Sequence, residues 1–171
     1  MLKEKTKQIL WLCSLEATAS PSRQDCRATL NMNNLIYLDT NIYLDYLEDR
    51  TDNIRPLGEF AFQLIKRTIA CEFKIVISGL VFKELANNID ENRVKELFAE
   101  LNDLDKLIEI EAIEEDVNKT VRICKERKTD FEDTLHAVIA NRLKVDYLVT
   151  RNIEHFSQLS DLVSVVFPEF L

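Results

Sequence analysis

Acidic residues follow two predicted strands of this chain and open a later helix. Asp39 directly ends the apolar run "LIYL", and Glu84 lies early in the helix that follows the strand "KIVIS". Asp130 and Asp133 begin a further helix at an i,i+3 spacing, which places both carboxylates on one helix face. We expect these four acids to meet in one pocket if the strands run parallel.

Converging carboxylates repel one another, so a pocket of this kind needs a cation between them. Mg²⁺ and Mn²⁺ prefer oxygen ligands in octahedral geometry, and the sequence contains no histidine–cysteine set suited to zinc. An acidic metal pocket suits phosphodiester hydrolysis, because one metal ion lowers the pKa of a water molecule and a second can stabilise the leaving oxygen. The four acids therefore predict a Mg²⁺ or Mn²⁺ site.

Each of these acids also has a purely structural interpretation. Asp39 and Asp130 could cap helix N-termini, and Asp133 could be the third residue of a capping box that Asp130 opens. Glu84 could be an exposed helix residue, and Asp45, further along the first helix, is interpreted as a solvated one. Asp39 fits a structural role least well, because it directly ends a buried strand. The joint pattern favours the metal site, since the acids recur where the topology would bring them together.

Short apolar runs alternate with longer amphipathic ones from residue 34 onwards. Strands are predicted at 35–39, 73–78, 106–112, 146–150 and 163–167. Helices are predicted at 41–49, 55–72, 79–88, 91–104, 114–128, 130–143 and 152–159. This order requires parallel strands joined by helical crossovers that cover both faces of the sheet. The predicted fold is α/β, a three-layer α/β/α sandwich with a central parallel sheet.

The carboxyl ends of parallel strands lie at one edge of a sheet, and open sheets bind ligands beyond that edge. Asp39, Ser78 and Thr150 each end a predicted strand, so we expect all three at the same edge. Asn152 follows closely and also suits the N-cap of the short helix behind it.

The composition is that of one globular domain. The chain has 171 residues, of which 46% are hydrophobic and 30% charged, enough for one core but hardly for two. Its two glycines and three prolines favour short connections and many helices. No apolar run approaches the roughly 20 residues of a membrane-spanning helix, and the four cysteines form no CxxC pair. We expect a cytoplasmic protein with reduced thiols and no membrane contact.

The net charge of −8 limits how this chain could hold nucleic acid. Generic nucleic-acid binders are usually basic, because phosphate neutralisation supplies much of their affinity. An acidic chain must avoid nucleic acid, or hold it through a local basic patch, a bound metal or a partner.

Residues 1–32 are interpreted as an N-terminal extension to a domain at 33–171. Much of this segment lacks helical or strand periodicity and is rich in small and polar residues. One hypothesis is that Met32 is the true start and that residues 1–31 lie upstream of it. The alternative is a flexible or partly helical arm, and intact-mass analysis of the native protein separates the two.

Four segments resemble, in order and spacing, the successive motifs of PIN-domain ribonucleases, particularly the VapC-type toxins of toxin–antitoxin pairs. They are "LIYLDTNIYLDYL", "ISGLVFKEL", "DFEDTLHAVIA" and "DYLVTRNIEHF". The resemblance covers about residues 33–169. It implies that Asp39, Glu84 and Asp133 are the catalytic acids, and that Asp39 and Asp133 bind the metal.

The fourth motif, "TRN", departs from the family members that have an aspartate there, because Asn152 fills that place. The resemblance implies supporting roles for Thr150 and Asn152, and Asp130 is a candidate for an extra carboxylate. Arg151 is a candidate contact for the substrate phosphate. His136, on the helix of the third motif, is interpreted as a packed residue rather than a general base.

The resemblance further implies a Mg²⁺- or Mn²⁺-dependent endoribonuclease that leaves a 5′-phosphate and a 3′-hydroxyl. It implies a homodimer and a cognate antitoxin, which typically lays a segment across the active site. An acidic pocket independently favours a basic inhibitor segment. The sequence does not specify which RNA is cut.

Alternatives from other functional classes stay open at this point. A Mg²⁺-binding, receiver-like signalling domain needs a lysine at a later strand end, where this chain has "VTRN". A haloacid-dehalogenase-type phosphatase needs D-x-D at the first strand, and "DTN" lacks the second aspartate. A non-catalytic interaction module could retain both the fold and the metal, although the intact set of acids argues against it.

Overall fold

The structure, a computed structural model, describes residues 34–171. The strands are β1 (Leu35–Leu38), β2 (Lys74–Ser78), β3 (Leu107–Ile110), β4 (Tyr147–Val149) and β5 (Val165–Val166). The α-helices are α1 (Thr40–Glu48), α2 (Leu57–Ile69), α3 (Gly79–Ala86), α4 (Glu91–Asp103), α5 (Glu114–Arg127) and α6 (Phe131–Leu143), and 3-10 helices cover Ile153–Leu159 and Pro168–Phe170. Every strand and helix predicted from residue 34 onwards is present. The predicted extension at 1–32 and the hypothetical start at Met32 lie outside the described residues.

Five parallel strands form one sheet in the order β3-β2-β1-β4-β5. β1 lies in the middle, where Tyr37 pairs with Val76 of β2 on one side and with Leu148 of β4 on the other. The chain builds outward from β1 to β3 and then crosses back to β4, so the strand order reverses between β1 and β4. Open sheets bind ligands at such a switch point. The predicted α/β sandwich with a central parallel sheet is therefore confirmed.

Helices α1 and α3 begin almost directly after their strands. Only Asp39 separates β1 from α1, and α3 follows β2 with no residue between them. Glu84, on the second turn of α3, consequently stays near the carboxyl edge of the sheet. None of the described helices is long and apolar enough to cross a membrane.

Helix α6 is enclosed by the rest of the domain. It is buried continuously from Thr134 to Ala140 and packs against α5 and the 3-10 helix at 153–159. A helix surrounded in this way can be apolar on all sides instead of along one stripe. Thr134 and His136 are the polar residues of the buried run, and Asp133 directly precedes that run. α6 therefore carries His136 and Asp133 into the region beneath the carboxyl edge.

Candidate functional site

Asp39 occupies the N-cap position of α1, but its side chain makes no capping hydrogen bond. Its Oδ2 atom instead accepts hydrogen bonds from Thr150 Oγ1 at 2.5 Å and from Asn41 Nδ2 at 2.6 Å. The residue is only 7% exposed. The interpretation of Asp39 as a simple helix cap is therefore wrong, because its carboxylate is oriented by the end of a neighbouring strand.

The turn after β4 and the start of α1 are joined through Asn41. Its Nδ2 donates to Thr150 Oγ1 at 3.0 Å, and its Oδ1 accepts from the backbone N–H of Arg151 at 3.1 Å. Thr150 Oγ1 also accepts from the backbone N–H of Asn152 at 3.0 Å. The Asn152 side chain makes no capping hydrogen bond at the start of its 3-10 helix. Asn41 belongs to the "DTN" motif, but nothing in the sequence indicates its role, because only the folded turn brings it to Thr150 and Arg151.

Glu84 lies half-buried on α3 and contacts two residues from other elements. Thr40 Oγ1 donates to Glu84 Oε2, and His136 Nε2 lies 3.3 Å from Glu84 Oε1. Burial alone would raise the pKa of Glu84, but the hydrogen bond and charge of His136, together with the Thr40 hydrogen bond, lower it below its usual value. Glu84 is therefore not the exposed helix residue of the structural interpretation.

His136 is 2% exposed and lies between a phenol and a carboxylate. Its Nδ1 is 2.7 Å from the Tyr37 hydroxyl, which in turn is 2.5 Å from Ser78 Oγ. Burial lowers the pKa of His136, but the Glu84 hydrogen bond and the charges of Asp39 and Glu84 outweigh it, so the pKa is raised overall. The expectation that His136 is packed is correct, yet its contact with Glu84 was missed.

Asp39, Glu84 and His136 form the one group of possible metal ligands found within residues 34–171. Each offers one ligand atom, and these atoms all lie within 4.8 Å of one another. Two carboxylate oxygens and an imidazole nitrogen form a donor set that divalent cations of the first transition row accept. The residues present therefore fit a divalent cation at the carboxyl edge of β1.

Asp133, at the start of α6, lies beside this group. Its Oδ2 is 3.1 Å from His155 Nδ1, a residue to which the sequence gave no role. Burial raises the pKa of Asp133, the charges of Asp39 and Asp130 add to the rise, and His155 opposes it. Asp39 therefore acts electrostatically on Asp133, but Asp133 does not belong to the group of possible ligands formed by Asp39, Glu84 and His136. A role for Asp133 as a metal ligand stays a prediction.

Asp130 is exposed and caps α6. Its Oδ1 accepts from the backbone N–H of Glu132 at 2.8 Å and of Asp133 at 3.3 Å, as its structural interpretation predicted. Its charge nevertheless contributes to raising the pKa of Asp133, so the cap also adds negative potential to the site.

Arg151 makes protein contacts through its guanidinium group, and its side chain is only 11% exposed. Its Nε donates to Asp45 Oδ2 at 2.9 Å, and its Nη1 donates to Glu169 Oε2. The expectation that Asp45 is solvated is wrong: the residue is 2% exposed, because α1 packs it against Arg151. Burial raises the pKa of Asp45 despite this pairing. A contact between Arg151 and a substrate phosphate stays a prediction.

Comparison with known proteins gives one family and several similar folds. A family profile described as PIN domain matches residues 36–154. A chain of a toxin–antitoxin complex from Klebsiella pneumoniae is 19% identical with a TM-score of 0.54, covering 78% of this chain and 97% of that chain. A chain of VapBC2 from Rickettsia felis, bound to a DNA fragment from the promoter, is 20% identical with a TM-score of 0.55. The match covers 77% of this chain and 98% of that chain. A chain of VapBC-1 from nontypeable Haemophilus influenzae is 16% identical with a TM-score of 0.55. The match covers 79% of this chain and 98% of that chain. No curated protein sequence matches this chain significantly.

Proposed function

This chain belongs to the PIN domain family, and from this we propose that it is a metal-dependent endoribonuclease and the toxin of a toxin–antitoxin pair. The observation that carries the proposal is the meeting of Asp39 and Glu84 at the carboxyl edge of the sheet, with Asp133 beside them. Acids on three separate elements converge there, which costs stability unless a cation offsets their charge.

In the proposed mechanism, Asp39 and Asp133 would hold the cation, and Glu84, the third catalytic acid, would offer it a further carboxylate oxygen. Mg²⁺ or Mn²⁺ bound there supplies the Lewis acidity that activates water against an RNA phosphate and stabilises charge on the leaving oxygen. The lowered pKa of Glu84 keeps its carboxylate ionised at neutral pH, as a ligand or a base requires.

Neighbouring side chains position these acids in the proposal. Thr150 and Asn41 hold Oδ2 of Asp39, and Thr40 holds Glu84. Positioning of this kind lowers the barrier, because the ligands need not reorganise during the reaction. Asp130 and Asn152 are assigned supporting roles at the rim, and Arg151 is the candidate contact for substrate.

The proposed partners are an RNA substrate, a cognate antitoxin and a second copy of the chain. Chains of similar fold occur in toxin–antitoxin complexes, which supports an antitoxin partner. An acidic pocket favours a basic segment of that antitoxin. The net charge of −8 predicts weak RNA binding without metal, because the acids repel phosphate until a cation offsets them. Tight RNA binding in EDTA would contradict this.

The test is cleavage of a mixed pool of tRNA and ribosomal RNA by purified protein. The pool is incubated with Mg²⁺, with Mn²⁺ and with EDTA, using the wild type, Asp39→Asn and the control Glu96→Gln, which changes an exposed acid on α4. We expect metal-dependent cutting that Asp39→Asn abolishes and Glu96→Gln retains, with 5′-phosphate and 3′-hydroxyl ends. Cutting that survives Asp39→Asn would contradict the proposed site. A folded, metal-binding protein that cuts nothing would favour a non-catalytic interaction module.

A further inference from the structure

We propose that His136 supplies a nitrogen ligand to the cation held by Asp39 and Glu84, and that this makes the site prefer Mn²⁺ to Mg²⁺. The inference deepens the proposed function and rests on it, because it concerns the cation that the same acids would hold. Oxygen ligands alone would leave the choice between the two cations open.

The spacing of the ligand atoms suits one octahedral cation. His136 Nε2 and Glu84 Oε1 are 3.3 Å apart, and the ligand atoms of Asp39, Glu84 and His136 all lie within 4.8 Å of one another. Neighbouring ligands of an octahedral ion with bonds of about 2.1 Å are about 3 Å apart, and opposite ligands about 4.2 Å apart. The three atoms can therefore share one ion with only small shifts.

The far side of the His136 ring is held as in a metal-ligating histidine. Such a histidine normally makes a hydrogen bond through its other nitrogen, which fixes the ring and its tautomer. Here Nδ1 lies 2.7 Å from the Tyr37 hydroxyl, and that hydroxyl lies 2.5 Å from Ser78 Oγ. If Nδ1–H donates to Tyr37 and Tyr37 donates to Ser78, Nε2 presents its lone pair toward Glu84.

The opposite tautomer gives a competing arrangement. Tyr37 would then donate to Nδ1, and Nε2–H would donate to Glu84, so that His136 positions a carboxylate and does not touch the cation. Both arrangements use the same heavy-atom contacts. Only the first arrangement bonds a nitrogen directly to the metal.

An imidazole ligand changes which cation the site favours. Mg²⁺ takes oxygen ligands and gives up its water reluctantly, whereas Mn²⁺ accepts imidazole nitrogen more readily. Removing the nitrogen should therefore weaken Mn²⁺ binding more than Mg²⁺ binding. Metal preference and metal-bound nitrogen are two separate consequences of the same contact.

The chain is well suited to this test because it contains only two histidines, His136 and His155. His155 is largely exposed and contacts Asp133, whereas His136 contacts Glu84. Pulsed electron paramagnetic resonance of the Mn²⁺-loaded full chain detects a directly bound nitrogen. Labelling histidine alone with ¹⁵N then identifies that nitrogen as imidazole without any substitution, so misfolding of a variant cannot obscure the result.

We expect a ¹⁴N coupling in unlabelled protein that becomes a ¹⁵N coupling after histidine labelling. His155→Gln should keep the coupling and His136→Gln should lose it. By calorimetry, His136→Gln should reduce the preference for Mn²⁺ over Mg²⁺ by about tenfold or more. Bound Mn²⁺ without histidine coupling would overturn the inference, as would a coupling that His155→Gln abolishes.

RNA cleavage by the same samples separates the inference from the proposed function. Histidine-coupled Mn²⁺ in a protein that cuts no RNA would support the inference and contradict the nuclease. Metal-dependent cleavage with no histidine coupling would support the nuclease and overturn the inference. Failure to bind Mn²⁺ at all would overturn the inference whatever the cleavage result.

Discussion

Thr150 donates a hydrogen bond to Oδ2 of Asp39 across 2.5 Å, although the two residues are 111 positions apart in the sequence. The same Thr150 hydroxyl accepts hydrogen bonds from Asn41 Nδ2 and from the backbone N–H of Asn152. Because Thr150 is fully buried, these partners leave the hydroxyl little freedom to turn. The carboxylate of Asp39 is therefore held in place before any ligand arrives.

Replacing Thr150 by valine tests this orientation with little change in volume. We expect Thr150→Val to raise the Kd for Mn²⁺ and to lower RNA cleavage by about 10- to 100-fold, as when other outer hydrogen bonds to metal ligands are lost. Thr150→Ser keeps the hydroxyl and should retain most of the Mn²⁺ affinity and most of the RNA cleavage. Calorimetry with Mn²⁺ measures the first effect, and a Thr150→Val protein with wild-type affinity would contradict the orienting role.

Arg151 should matter for stability because it neutralises the buried carboxylate of Asp45. Arg151→Met leaves Asp45 buried and unpaired, which we expect to lower the free energy of unfolding by about 3 kcal/mol or more. Lys95→Met removes the cation of the exposed Lys95–Glu91 pair and should cost less than about 1 kcal/mol. Urea unfolding in EDTA compares the two variants. An Arg151→Met protein of wild-type stability that has a raised KM for RNA would instead support the predicted phosphate contact.

The raised pKa of His136 makes the stability of the metal-free protein depend on pH. A folded pKa above the ordinary value of 6.5 means that the folded state binds the proton more tightly than the unfolded state. This contribution is complete below about pH 6.5 and is lost as the pH rises through the folded pKa. Urea unfolding in EDTA from about pH 6 to about pH 9 should show the decline, and His136→Gln should flatten it. If the free energy of unfolding falls equally with pH in the wild type and in His136→Gln, the raised pKa does not belong to His136.

Asp130 combines a capping role with its charge, and two substitutions separate them. Asp130→Ala should lower the free energy of unfolding by about 1 kcal/mol, because α6 loses the acceptor for two backbone N–H groups. Asp130→Asn keeps an acceptor and should retain most of that stability. The Kd of Asp130→Asn for Mn²⁺ tests the predicted extra carboxylate, and an unchanged Kd would limit Asp130 to capping.

The order of elements could be predicted from local pattern alone. The apolar runs at β1 and β2 predict strands, and the helical spacing of apolar residues in α2 predicts a helix. Parallel strands then follow from the helices between them. Once the strands are parallel, Asp39 and Thr150 must lie at the same edge. That part of the site is a consequence of topology.

Contacts between distant side chains could not be predicted in this way. Asp45 was expected in solvent because nothing near it in the sequence indicates Arg151 as a partner. His136 lies in an apolar run, so its contacts with Tyr37 and Glu84 emerge only when α6 packs against β1 and α3. The sequence likewise gives no sign that His155 contacts a site acid, since the two belong to different elements.

The pairing of β1 with β4 has a consequence for protein synthesis. Asp39 lies near the start of the domain, but Thr150, which orients it, belongs to a turn made only after most of the chain has been translated. Glu169, which holds Arg151 of that turn, comes later still. A nascent chain that stops before β4 would contain the acids Asp39, Glu84 and Asp133 without Thr150, which orients Asp39. We therefore expect the proposed nuclease activity to appear only as translation of the domain nears completion, and truncated products to be inactive.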